Sequence, residues 1–189
     1  MDRTTELRDR ARAYLRTRGT DAPAPAVRDG VVAAFEALDK FLDGVPASSA
    51  PRRTLPAEWS IQEIVDHLVE THRPGLDELR CLLAGRRPPG APIPAGLQSK
   101  APLLRPWPWL RDELRRVHGA IVETLASAPP DLVTDARAPL VMVVNAPREG
   151  GGVEPVEWLE ELDWKAYAIV WRLHAIDHLN QARKVAAAA

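Results

Sequence analysis

The stretch RLHAIDHLNQARKV, residues 172–185, sets two imidazoles, His174 and His178, four positions apart with no glycine or proline between them. On a helix that offset is about 40° of rotation and about 6 Å of rise, so both rings leave one face and can converge on a single ion. Two histidines are half of a metal site. The helical reading extends upstream through DWKAYAIVW to a start near Asp163, and Tyr167, Trp171, His174, His178 and Gln181 then share one stripe. Tyr167 and Trp171, aromatics at helical spacing, read as core.

Apolar seams mark three more long helices. In 26–43, Val31, Phe35, Leu38 and Leu42 are spaced for a helix packing lengthwise on others, with Gly44 as terminator. Ser60 and Glu63 match a capping box, in which hydroxyl and carboxylate satisfy each other's free backbone N–H groups. The helix begun there carries Ile64, Leu68, Leu76, Leu79 and Leu83 to a stop at Gly85, and Pro74 predicts a kink near Glu70. From Pro108 a third seam runs through Leu110, Leu114, Val117, Ile121 and Leu125 to Pro129 and Pro130. Seven prolines between positions 88 and 108 forbid regular helix in the crossover before it. The connection 131–162 holds an apolar run, Leu140 to Val144, then the turn-like NAPREGGG, which fits a strand or hairpin. Residues 5–18 form a short charged helix stopped at Gly19, within an accessory segment 1–24. The fold class is therefore all-α: one domain over 1–189, a four-helix bundle in 26–185 with long crossover connections and room for a small hairpin before the last helix.

A chain of 189 residues with 46% hydrophobic and 27% charged residues suits one globular domain. No stretch approaches the ~20 apolar residues of a membrane span, and the charged N-terminus lacks a secretory h-region, so a cytoplasmic protein without a membrane partner is expected. A net charge of −1 with interspersed signs offers no basic face to nucleic acid. The single cysteine, Cys81, cannot form an intramolecular disulfide and reads as a small buried apolar residue.

Two histidines hold a metal weakly, so a third ligand is needed. His67 lies seven residues after the Ser60 cap, about 10 Å along the helix, beside Val65 and Leu68, at a depth that suits the core. His72 is about 140° round the same helix and is expected to be solvated. His118, beside the seam residue Val117, reads as a border histidine with one surface hydrogen bond. Cys81 is about 21 Å along the helix from His67 and cannot share its ion. Glu63 is already accounted for by its capping role, and Trp59 by packing. HAIDH lacks the glutamate of a zincin protease, and no Glu-x-x-His pair of a di-iron bundle occurs.

WSIQEIVDHLVETH, followed about a hundred residues later by HAIDHLNQ, resembles the DinB-like four-helix-bundle superfamily over residues 26–185. Trp59, Ser60, His67, His174 and His178 fill positions of that family's pattern. The resemblance implies a divalent metal on the three histidines, a small-molecule substrate, in some members a low-molecular-weight thiol, and a homodimer. The chain departs from the compact family pattern at 131–162, which could cap the site or form a partner surface.

Together these readings give His67, His174 and His178 on one divalent ion, zinc or nickel, with positions left open to water or substrate. Gln181, on the ligand face, is a candidate to bind a metal-bound water or substrate. Asp177, beside His178, is a candidate base or tautomer-fixing partner, set against an ordinary exposed aspartate. A metal-dependent hydrolase or thiol-dependent transferase is expected; the rival is a non-enzymatic bundle with a structural metal or none.

Overall fold

Ser60 and Glu63 start their helix as their spacing predicts. In the computed structural model, which describes residues 3–56, 58–147 and 151–188, the Ser60 hydroxyl accepts the Glu63 N–H at 3.2 Å and the Glu63 carboxylate accepts the Ser60 N–H at 2.8 Å. Arg53 donates to the same carboxylate at 2.9 Å and holds it below its ordinary pKa. The other starts are equally local. Pro23 precedes one helix with Pro25 in its first turn, Trp107 and Pro108 open another, and Asp163 caps the last by accepting from the N–H groups of Lys165 and Ala166 at 2.9 and 3.0 Å.

The elements that result are α1 (Arg3–Leu15), α2 (Ala24–Asp43), α3 (Ile61–Leu83), α4 (Trp107–Ser127), a hairpin of β1 (Ala138–Pro147) and β2 (Val153–Leu162), and α5 (Trp164–Ala187). Each of α2 and α3 packs against both α4 and α5, and the seams read from the sequence all face inward. Outside them, Arg111 and Arg115 of α4 pair with Asp39 and Asp43 of α2.

Three expectations are corrected. The chain is mostly helical rather than purely all-α, because β1 and β2 pair antiparallel over ten residues each, from Ala138 opposite Leu162 to Pro147 opposite Val153. Met142 and Trp158 face each other across the hairpin and are buried, while Val143, Leu159 and Val153 stay exposed. Apolar residues thus occupy both faces of β1, and the alternation that would have delimited a strand is missing. Gly19 does not stop α1: a wider π-helical turn, Arg16–Thr20, continues it, and a Cβ at Gly19 would sit 2.6 Å from the Ala166 backbone, so glycine is required for this close contact with α5. Cys81 is half-buried rather than buried.

α3 runs through Pro74 as one helix, and every residue from Ile61 to Val69 is buried. Helices cover one side. The proline-rich crossover covers the other: Gln62 donates to the Pro102 and Arg105 carbonyls at 3.1 and 2.9 Å, and Gln98 donates to the Glu63 carbonyl at 3.1 Å. Asp66, fully buried, accepts from the Ser99 N–H and hydroxyl, both at 2.8 Å, and pairs with Arg105 at 3.1 Å.

About two turns beyond this anchored stretch, Gly75 brings α3 against the Trp171 ring of α5 so closely that a methyl group would overlap it. Gly75→Ala should therefore destabilise the protein by about 1–3 kcal/mol, although alanine is the better helix former. Thermal unfolding checks this, and an unchanged or raised midpoint would refute the close packing.

Candidate metal centre

His67 projects from the buried half of α3, and His174 and His178 project one turn apart from α5. Their inner nitrogens meet: His174 Nε2 lies 2.9 Å from His67 Nε2 and 3.0 Å from His178 Nε2. One nitrogen from each ring falls within 4.8 Å of the others, a set able to hold a metal ion. The Asp177 carboxylate and the Cys81 thiol stand outside that set.

The outer nitrogens decide what the inner ones can do. His67 Nδ1 is 2.7 Å from the Leu97 carbonyl, which only accepts, so the ring proton is on Nδ1 and Nε2 is a bare lone pair. His178 Nδ1 is 2.8 Å from Gln181 Oε1, and the Gln181 amide nitrogen donates to Glu58 at 3.0 Å, which fixes which end of the amide faces the histidine. His178 is therefore also protonated on Nδ1 and bare at Nε2. Lys184 and Gln181 together hold the Glu58 carboxyl below its ordinary pKa. Two bare lone pairs aimed at His174 repel unless something positive lies between the rings. A single proton on His174 bridges one contact in a straight line, whereas a divalent ion serves all three. The donor chemistry fits a metal.

Sequence reasoning missed how the other two histidines are used. His72, expected in solvent, is 1% exposed; His118, expected at the border, is 6% exposed. His72 Nε2 lies 3.0 Å from His174 Nδ1, and His72 Nδ1 lies 3.0 Å from His118 Nε2, so all five histidines of the chain form one connected cluster. An angular separation of about 140° misleads here because His67 and His72 approach opposite nitrogens of the His174 ring, which stands between them. The usable signal was the apolar stripe Ile61, Ile64, Val65, Leu68 and Val69, an arc of about 140° that has His72 near its middle. Trp59, read as a packing anchor, places its ring 5.0 Å from that of His67 and stacks at 6.2 Å on His178. Gln181, expected to face water or substrate, spends both ends of its amide on His178 and Glu58. Asp177 is exposed, one residue before His178, and desolvation lifts its carboxyl above the ordinary range.

A cavity of about 70 Å³ flanks the cluster, its walls including His72, His174, Trp171, Ile93 and Pro94 of the crossover, and Leu140 and Val141 of β1. The hairpin in the 131–162 connection thus reaches the edge of the site.

Burial pushes every one of these imidazoles toward the neutral form: His118 to about 3, His178 to about 4, His72 and His174 well below the ordinary value, and His67 less so because the Leu97 carbonyl and Asp66 oppose the shift. Neutral imidazole is the ligand form. A histidine with a depressed folded pKa gives stability that is complete above its unfolded value of about 6.5 and is lost as pH falls below it, because the unfolded chain then binds protons the folded chain refuses. The thermal midpoint of the metal-free protein should fall steadily from about pH 7 to about pH 5, before most carboxylates titrate. A flat profile in that window would contradict burial of neutral rings.

No curated protein has a significantly similar sequence. The family model described as the DinB superfamily matches residues 31–182, from the middle of α2 to the last turns of α5, taking in all five histidines, and the chain belongs to that superfamily.

Proposed function

We propose that the chain is a divalent-metal-dependent enzyme acting on a small molecule, a hydrolase or a thiol-dependent transferase, with His67, His174 and His178 as ligands. The observation that carries this is the pair of bare Nε2 lone pairs on His67 and His178, each fixed by an oxygen acceptor behind it and both aimed at His174. Zinc and nickel are among the ions that suit imidazole donors. Three ligands leave coordination positions open, and a bound divalent ion there supplies either an acidified water, with its pKa brought toward ~7, or an anchor for a thiolate. The protein's own groups do the rest. Leu97 and Gln181 orient two of the ligand rings, and Trp59 covers them. The apolar cavity beside His174, walled by Ile93, Pro94, Leu140 and Val141, suits a short apolar part of a substrate. Asp177, one residue before His178 on α5, is the candidate base, and desolvation raises its carboxyl above the ordinary range.

The second reading is a structural metal. His67 is buried, and an ion on this cluster would cross-link α3 to α5. Turnover separates the two, because a structural ion stabilises without supporting reaction of any ester, amide or thiol-plus-electrophile pair.

The purified, untagged protein should carry close to one equivalent of zinc or nickel by elemental analysis, and His174→Ala should reduce it by at least tenfold while helix content is kept. A parent protein that is folded and remains metal-free after incubation with both ions would sink the proposal. Removing the ion with a chelator should lower the thermal midpoint and restoring it should raise it, since a ligand bound only by the folded state stabilises by RT ln(1 + [L]/Kd). Loss of turnover on chelation, recovered with the ion, distinguishes the enzyme from the structural site.

A further inference from the structure

His72 and His118 lie outside the proposed ligand set, and both are buried. Buried imidazole nitrogens need hydrogen-bond partners, and three of the four nitrogens of these two rings have theirs arranged in a line. His72 Nε2 is 3.0 Å from the outer nitrogen of His174, and His72 Nδ1 is 3.0 Å from His118 Nε2. Aromatic faces fix the ring planes: Trp171 stacks on His72 at 5.6 Å and 17°, and Phe35 on His118 at 3.6 Å and 6°. The line therefore crosses three helices, from α5 through α3 to α4.

We propose that His72 and His118 are positioning residues for the metal, a two-imidazole chain that holds the outer nitrogen of His174, fixes its tautomer and ring plane, and so presents its Nε2 lone pair to the ion. The proposal rests on the metal reading of the three-histidine cluster. A neutral imidazole that coordinates through Nε2 carries its one proton on Nδ1 and donates it to an acceptor, and such acceptors orient the ring and raise its basicity. For His67 and His178 that acceptor is an oxygen, from Leu97 and Gln181. For His174 it is His72 Nε2. His72 then carries its own proton on Nδ1 and donates it to His118 Nε2. The net charge of the chain is unchanged throughout; only the tautomers are set. The consequence is specific: α4, which supplies no ligand, influences metal affinity through His118.

The test is the zinc dissociation constant, measured by competition with a chromogenic chelator, for the parent, His72→Phe, His72→Gln and His118→Phe, each checked by circular dichroism. His72→Phe keeps a planar ring against Trp171 but offers no acceptor, and should weaken binding about 10–100-fold. His72→Gln, whose side-chain oxygen can stand near the Nε2 position, should recover most of the loss, a rescue that a purely packing role would not give. His118→Phe should cost a few-fold. A folded His72→Phe that binds zinc within about twofold of the parent overturns the proposal. Couplings between ¹⁵N nuclei across the two N–H···N contacts, observed in the metal-free parent, provide a readout independent of zinc and of any variant's folding. They are expected for both contacts, and their absence overturns the chain. A parent that binds no zinc or nickel brings down the metal reading itself, a result distinct from a parent that binds and a His72→Phe that binds equally well.

Discussion

A hydrogen bond between an N–H and a carbonyl oxygen can point only one way, and the 2.7 Å contact of His67 Nδ1 with Leu97 settles the electronic state of its ring. The same logic, one bond removed, fixes His178 through Gln181 and Glu58. Once both outer nitrogens carry protons, both inner ones are bare, and His174 stands between two lone pairs. The rest of the molecule maintains that arrangement. Without it, five imidazoles in a helical core would be an expensive way to fill space, because burial depresses every one of their pKa values.

Leu97 is held in place from α3. Asp66, one residue before His67, grips Ser99, two residues after Leu97, through two hydrogen bonds of 2.8 Å. A buried aspartate would be costly alone, but Arg105 pairs with it at 3.1 Å, so the charge is compensated where the crossover meets the helix. The crossover has little regular structure of its own beyond a short 3₁₀ turn, Pro102–Leu104, and its prolines restrict the conformations it can lose on folding. Its order derives from α3, and the tautomer of His67 derives from its order. Gln181 plays the corresponding part on α5, where its link to Glu58 and Lys184 ties the ligand helix to the segment just before α3.

Much of this was legible in the sequence, and the exceptions have identifiable causes. Periodicity located the long helices because each buries one stripe, and the Ser60–Glu63 spacing placed a start correctly because a capping box depends on four consecutive residues. The convergence of His67 with His174 and His178 was readable from depth along two helices, and the family resemblance agrees with it. The hairpin's extent was not, since Leu140 to Val144 show apolar residues to both faces. His72 was misplaced because it was judged by its angle from His67 alone, whereas its position falls in the middle of the apolar stripe of α3. Leu97 and its carbonyl leave no mark in side-chain patterns at all, so a backbone acceptor supplied by a loop was beyond reach of any reading of residue types.

The ligand set also bears on what a bound ion would be for. Structural zinc sites close the coordination sphere with four ligands, commonly with thiolates that neutralise the cation. Here the thiol is elsewhere, the nearest acid in sequence to His178 is the exposed Asp177, and all three candidate ligands are neutral rings. A divalent ion on them would keep most of its charge, in a partly desolvated setting where that charge acts strongly on whatever occupies an open position. Outer acceptors raise the basicity of each imidazole, which strengthens the metal–nitrogen bonds without adding a negative ligand. Tight binding and retained charge are hard to combine when affinity comes from thiolates. Neutral imidazoles backed by neutral acceptors combine them, and that balance favours an ion that reacts over one that merely cross-links α3 to α5.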